Sequence, residues 1–136
     1  MDIKKRILLF LSSEAFGVVG ASNNRDKYGN KVLRCYLQHG MTAIPVHPRE
    51  KTVEKIPCVT SVAHLPPAVK SISIITPPPV TEKVVEEAIA SGIVGSVWMQ
   101  PGAESRRAIA RASEAGLNVI ADGSCLLVVL GFSEND

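Results

Sequence analysis

The chain has 136 residues, 46% apolar and 21% charged, with a formal net charge of +2. Such a length and balance suit one soluble globular domain. They exclude a disordered chain and give no support to nucleic-acid or membrane-surface binding, which needs clustered Lys and Arg.

The opening MDIKKRILLFLSSEAFG sets basic residues before an apolar run, but Ile7 to Leu11 is too short for the core of a secretory signal. Ile3, Ile7, Leu8, Phe10 and Leu11 instead mark one face of a helix at about 2–13, with Lys4, Lys5 and Arg6 in water. No apolar stretch approaches the roughly 20 residues that span a bilayer, so a cytoplasmic protein is expected. Cys35, Cys58 and Cys125 are odd in number and show no CxxC pairing, which predicts free thiols rather than a zinc site or a disulfide framework.

FGVVGA predicts the first strand. GNKVLRCYLQHG follows as a helix with Val32, Leu33, Tyr36 and Leu37 inward and Gly40 as its stop. TAIPVHP (42–48) predicts a second strand and SISIITPPP (71–79) a third, ended by a stiff extended corner of three prolines. Between them, 51–70 lacks a long amphipathic pattern and reads as a loop with a short strand and a turn near Leu65 to Val69. A helix capped by Thr81 turns Val84, Val85, Ala88 and Ile89 inward and stops at Gly92. GSVWMQ is a fourth strand, GAESRRAIARASEAG a helix burying Ala108, Ile109 and Ala112, LNVIAD a fifth strand, and SCLLVVLGF a last short helix or turn. Strands that alternate with helices and are apolar throughout predict an α/β fold: a doubly wound, Rossmann-like parallel sheet of about five strands with helices on both faces, in a single domain spanning 1–136.

In such sheets ligands gather outside the carboxyl ends of the strands. Gly20, Ala21 and Ser22 form a strand-to-helix turn with one glycine fewer than a dinucleotide fingerprint. Small residues there let backbone amides approach a phosphate, and Arg25 and Lys27 add charge. The second strand ends in His47, Pro48 and Arg49, where an NAD site carries an acid; a basic end suits the 2′-phosphate of NADP or the 3′-phosphate of coenzyme A. Thr76, Pro77 and Pro78 offer a donor-free apolar ledge, and Met99 and Gln100 end the neighbouring strand.

Taken in order, VVGAS, KYGNKVLRCYL, IPVHP, ITPPPV, AIASGI, VWMQPGAES and AGLNVIADGSC resemble the stand-alone CoA-binding proteins. They are also similar to the N-terminal CoA-binding domain of succinyl-CoA synthetase α subunits. The resemblance implies that coenzyme A is the cofactor, with Gly20, Ala21 and Ser22 at its phosphate-bearing part and Lys27 paired with phosphate. It also implies that Thr76, Pro77 and Pro78 line the nucleotide or pantetheine wall, with Met99 and Gln100 beside them. His47 and Pro48 stand where that family usually has Asn-Pro, which would make the contact pH-sensitive. Cys125 follows Asp122 by one residue more than the family pattern and receives no role. Succinyl-CoA synthetases use a phosphorylated histidine in a second domain, and no such domain is expected here. His39, His47 and His64 stand in no recognisable catalytic arrangement, so a CoA or acyl-CoA binding protein without its own catalysis, or a subunit of a split ligase, is the expectation. An NAD(P)-binding redox sensor or small oxidoreductase, and an unliganded interaction domain, are the alternatives. A homodimer or partner contact would use the N-terminal helix or the CLLVVLGF tail.

Overall fold

The computed structural model describes residues 1–135. Asp2 begins the first helix, α1 (Ile3–Leu11), by accepting the Lys5 amide at 2.9 Å, and α1 then buries Phe10. Ile3, Ile7 and Leu11 pack beside Phe10, whereas Leu8, expected on that face, is 69% exposed. The chain continues through β1 (Ala15–Val19), α2 (Tyr28–Gln38) and β2 (Thr42–Val46). Next come the two-residue strands β3 (Thr52–Val53) and β4 (Ile56–Pro57), then a 3-10 turn (Val62–His64). The remainder is β5 (Val69–Ile74), α3 (Pro78–Ser91), β6 (Ser96–Met99), α4 (Arg106–Glu114), β7 (Asn118–Ile120) and α5 (Leu126–Leu130).

The five long strands form one parallel sheet in the order β2-β1-β5-β6-β7. The chain therefore leaves β1 toward β2 and returns on the other side, to β5. Strand order reverses at β1 and β5, and a crevice opens there between their outgoing loops. β2 is an edge strand, which is why it tolerates Pro45.

Alternate strand residues feed two cores. Phe16, Val18, Trp98 and Ile120 face α1, α2 and α5; Val19, Ile74, Val97 and Met99 face α3 and α4. The first core is held by aromatic contacts, with Phe16 stacked on Tyr36 at 4.8 Å and Phe10 edge-on to Trp98 at 5.2 Å. Its polar tips are satisfied: Tyr36 shares a 2.6 Å hydroxyl bond with Ser73, and Trp98 Nε1 donates to the Ser124 carbonyl. In α2, Val32, Leu33 and Tyr36 are buried as expected, Arg34 and Cys35 are buried as well, and Leu37 is exposed. In α4, Ala108 and Ala112 are buried while Ile109 is only half-buried.

Two expected boundaries are corrected. α3 starts at Pro78, not Thr81, because Pro78 and Pro79 occupy a first turn whose amides need no partner within the helix. The proline run is thus a helix start rather than an extended corner. Thr81 lies buried inside that turn, bonded through Oγ1 to Thr76 Oγ1 at 2.7 Å. The 51–70 segment contains a hairpin, β3–β4, whose turn residues Glu54 and Lys55 have φ of 49° and 67°. Left-handed backbone is costly for side-chain-bearing residues, and Glu54 offsets it through its carboxylate.

That carboxylate accepts from Arg25 at 2.6 Å and from Asn30 Nδ2 at 2.9 Å. Asn30, fully buried, also donates to the Ser22 carbonyl and accepts from Arg34 Nε at 2.6 Å. Arg34, 2% exposed, donates to the Arg25 carbonyl and lies under Phe132 and beside Glu134. The β1–α2 loop is therefore braced from the hairpin, from α2 and from the carboxyl-terminal segment.

Removing the Tyr36 hydroxyl (Tyr36→Phe) strands Ser73 in the core and is expected to lower unfolding free energy by about 1–2 kcal/mol in urea titration. The Arg25 and Asn30 hydrogen bonds hold the Glu54 carboxyl below its ordinary value of 4.5. Its stabilisation is thus present above 4.5 and lost as pH falls through the lower native value. The stability gap between wild type and Glu54→Gln is expected to be constant near neutrality and to close in that acid window; a gap independent of pH would contradict this account.

Candidate functional site at the strand-order reversal

The loops after β1, β2 and β5, the first turn of α2 and the 3-10 turn enclose a cleft of about 800 Å³, walled on one side by α3. Its floor depends on two glycines. Gly20 has φ of 96°, and a Cβ there would strike the Ile75 carbonyl oxygen. A Cβ on Gly29, in the first turn of α2, would strike the Gly20 carbonyl oxygen. The helix therefore begins in backbone contact with the turn, and Tyr28 and Gly29 of its first turn line the cleft. No side chain caps α2, since the Lys27 side chain at the cap position makes no such bond. The helix's positive end is thus left to solvent or to an anion. Ser22 Oγ accepts the Asn24 amide at 3.0 Å and keeps its own proton to donate.

At the end of β2, His47 Nδ1 accepts the amides of Arg49 and Glu50 at 3.0 and 2.9 Å. An asparagine side-chain oxygen makes the same kind of turn, so histidine serves here as a substitute acceptor. With Nδ1 committed as acceptor, the neutral ring carries its proton on Nε2.

The cleft brings together Gly20, Ala21, Ser22, Lys27, His47, Pro48, Thr76 and Pro77. It does not bring in the other four expected residues. Arg25 turns to Glu54, and Pro78 sits in the α3 first turn. Met99 is 1% exposed in the core. Gln100 is 3% exposed, donates to Cys125 Sγ at 2.9 Å and accepts the Leu126 amide at 3.3 Å, which fixes the start of α5.

Sequence reasoning missed Gly29, Thr60, Ser61 and Val62, and the α3 face of Val80, Val84 and Glu87. That face has the helical spacing i, i+4, i+7. It was detectable in principle, but only for a helix that starts early enough to include Val80. Gly29 carries no local signal, because its contact is with a residue across the loop. A smaller apolar trough adjoins the cleft, sharing Val62 and Glu87 and extending to Leu65, Pro66 and Ile93. Among the described residues, no helix is long and apolar enough to cross a membrane, and no group of three or more His, Cys, Asp or Glu is placed to hold a metal.

Comparison with known proteins bears on this cleft. An 85-residue stretch is 29% identical to the ADP-forming acetate–CoA ligase I of Archaeoglobus fulgidus, covering 62% of this chain and 12% of the ligase. A conserved hypothetical protein of Pyrococcus furiosus superposes with a TM-score of 0.81 at 36% identity, over 85% of this chain and 98% of its own. The dinucleotide-forming acetyl-coenzyme A synthetase 1 of Ca. Korarchaeum cryptofilum shares the fold, with a TM-score of 0.74 at 24% identity over 90% of this chain and 27% of that one. Residues 14–131, which include every element lining the cleft, match the CoA binding domain family, and the chain belongs to that family.

Proposed function

We propose that this chain is a single-domain module that binds coenzyme A or an acyl-CoA in the cleft and leaves any chemistry to another polypeptide. The observation that carries the reading is the backbone contact of Gly29 with Gly20, which sets the uncapped first turn of α2 beside a turn of small residues. A phosphate group resting on Gly20, Ala21 and Ser22 would receive backbone amides, the Ser22 hydroxyl and the Lys27 ammonium. His47 and Pro48 would take the 3′-phosphate end, and Thr76 and Pro77 would form the wall for the nucleotide or the pantetheine arm. Arg25 acts at one remove, by holding Glu54 and through it the loop. Pro78, Met99 and Gln100 support the fold behind the site.

β2 leads into His47 and Pro48 where a dinucleotide such as NAD needs an acid for its ribose hydroxyls. Glu50, the acid of the same turn, accepts from Asn23 Nδ2 at 3.3 Å; this disfavours NAD without excluding an acid nearby. Family membership and similarity to ligases of which the chain covers 12% and 27% favour a carrier, a sensor or one part of a divided ligase, working in the cytosol.

Calorimetry is expected to show 1:1 binding of coenzyme A, with dephospho-CoA much weaker. Lys27→Ala is expected to weaken coenzyme A about tenfold, or about 1.4 kcal/mol. Binding of NADP without coenzyme A would favour the redox reading. Indifference of the melting temperature to both at millimolar concentration would leave an interaction domain.

A further inference from the structure

α3 carries three glutamates near the cleft and its flank, and two of them are engaged. Glu82 accepts from Ser105 Oγ at 2.9 Å, and Glu86 pairs with Arg111 at 2.9 Å. Glu87 is half-buried, lines the cleft, and has no hydrogen-bond or ion-pair partner among the described residues. A carboxylate in a cleft suited to a polyanion would repel it unless it stood away from the phosphates. Its position meets that condition: Glu87 also lines the adjoining trough with Leu65, Pro66 and Ile93, and no residue from Gly20 to Tyr28 reaches that trough. Val62 and Val84, 3% and 4% exposed, line the same cleft as Glu87 together with Val80 and Pro77, with Thr60 and Ser61 beside Val62.

An apolar wall of Val62, Val80 and Val84 beside an acceptor-only carboxylate is complementary to a purine base with an exocyclic amine. We infer that Glu87 is the base-specificity residue of the site, accepting a hydrogen bond from the 6-amino group of adenine while Val62, Val80 and Val84 hold the ring. The inference rests on the coenzyme A reading. It adds to it the residue that reads the base and the end of the cleft at which the base lies. An ionised carboxylate accepts and never donates, so it distinguishes adenine from hypoxanthine, which presents a carbonyl oxygen at the same position. Two acceptors facing each other leave both unpaired, and sites of this kind discriminate strongly.

The experiment is calorimetry of wild type and Glu87→Gln with coenzyme A, its hypoxanthine analogue and 4′-phosphopantetheine. Wild type is expected to prefer coenzyme A over the analogue by about tenfold or more, an effect of at least about 1.4 kcal/mol. Glu87→Gln, whose amide offers the carbonyl a donor, is expected to reduce that preference to threefold or less and to leave 4′-phosphopantetheine unchanged. Equal wild-type affinity for the two nucleotides would overturn the inference without any variant. So would an unchanged preference in Glu87→Gln, or a loss of 4′-phosphopantetheine affinity, which would place the carboxylate on the pantetheine amides. Failure of wild type to bind coenzyme A at all would instead remove the underlying reading, and this assignment with it.

Discussion

The cleft exists because two stretches of backbone touch where side chains would forbid it. Gly29 brings the first turn of α2 against the Gly20 carbonyl, and Gly20 in turn lies against the Ile75 carbonyl at the end of β5. Three segments therefore meet with no intervening side chain at the point where strand order reverses. A dinucleotide-binding turn reaches comparable closeness with glycines set within a few residues of each other. Here the second close approach is made from inside the helix, which accounts for the apparent shortage of glycine in the loop itself.

Closeness alone would leave a loop of seven residues, 21–27, free to move, and hydrogen bonds supply the remaining constraint. The fully buried amide of Asn30 links the Ser22 carbonyl, the Glu54 carboxylate and the Arg34 guanidinium. Each of these polar groups is taken out of water only because it is matched, and an amide that both donates and accepts can join an acid to a base. The hairpin β3–β4 has too few residues to fold independently, and its left-handed Glu54 is held by the loop it helps to hold.

The parallel sheet was legible because β1, β5, β6 and β7 are buried at every position but Lys70, are rich in β-branched and other apolar residues, and are separated by helix patterns. The glycine stop of α3 was equally plain, since Gly92 adopts φ of 65° at the cap. What escaped was tertiary or disguised. The hairpin escaped because its turn is Glu-Lys rather than Asn-Gly, and its conformation is sustained by Arg25 and Asn30 across the loop. The start of α3 escaped because proline reads as a breaker, although a first turn accepts it. Eight of the twelve expected site residues line one cleft. Met99 and Gln100 depart from expectation for a common reason: a strand end near a site need not face it. Here α5 folds back, and Gln100 is consumed in fixing that helix.

Arg34 lies beneath Phe132, with its guanidinium 5.0 Å from the ring centroid, and beside the Glu134 carboxylate at 3.6 Å, while Lys31 meets the same carboxylate at 2.9 Å. The last residues of the described chain are thus wired to the arginine that anchors Asn30, far upstream of them in α2. Trimming this tail by a protease would uncover a guanidinium and slacken the cradle at Ser22 without touching a single residue of the cleft. The carboxyl-terminal segment thus contributes to the order of the β1–α2 loop through Arg34 and Asn30, although it lines no part of the cleft.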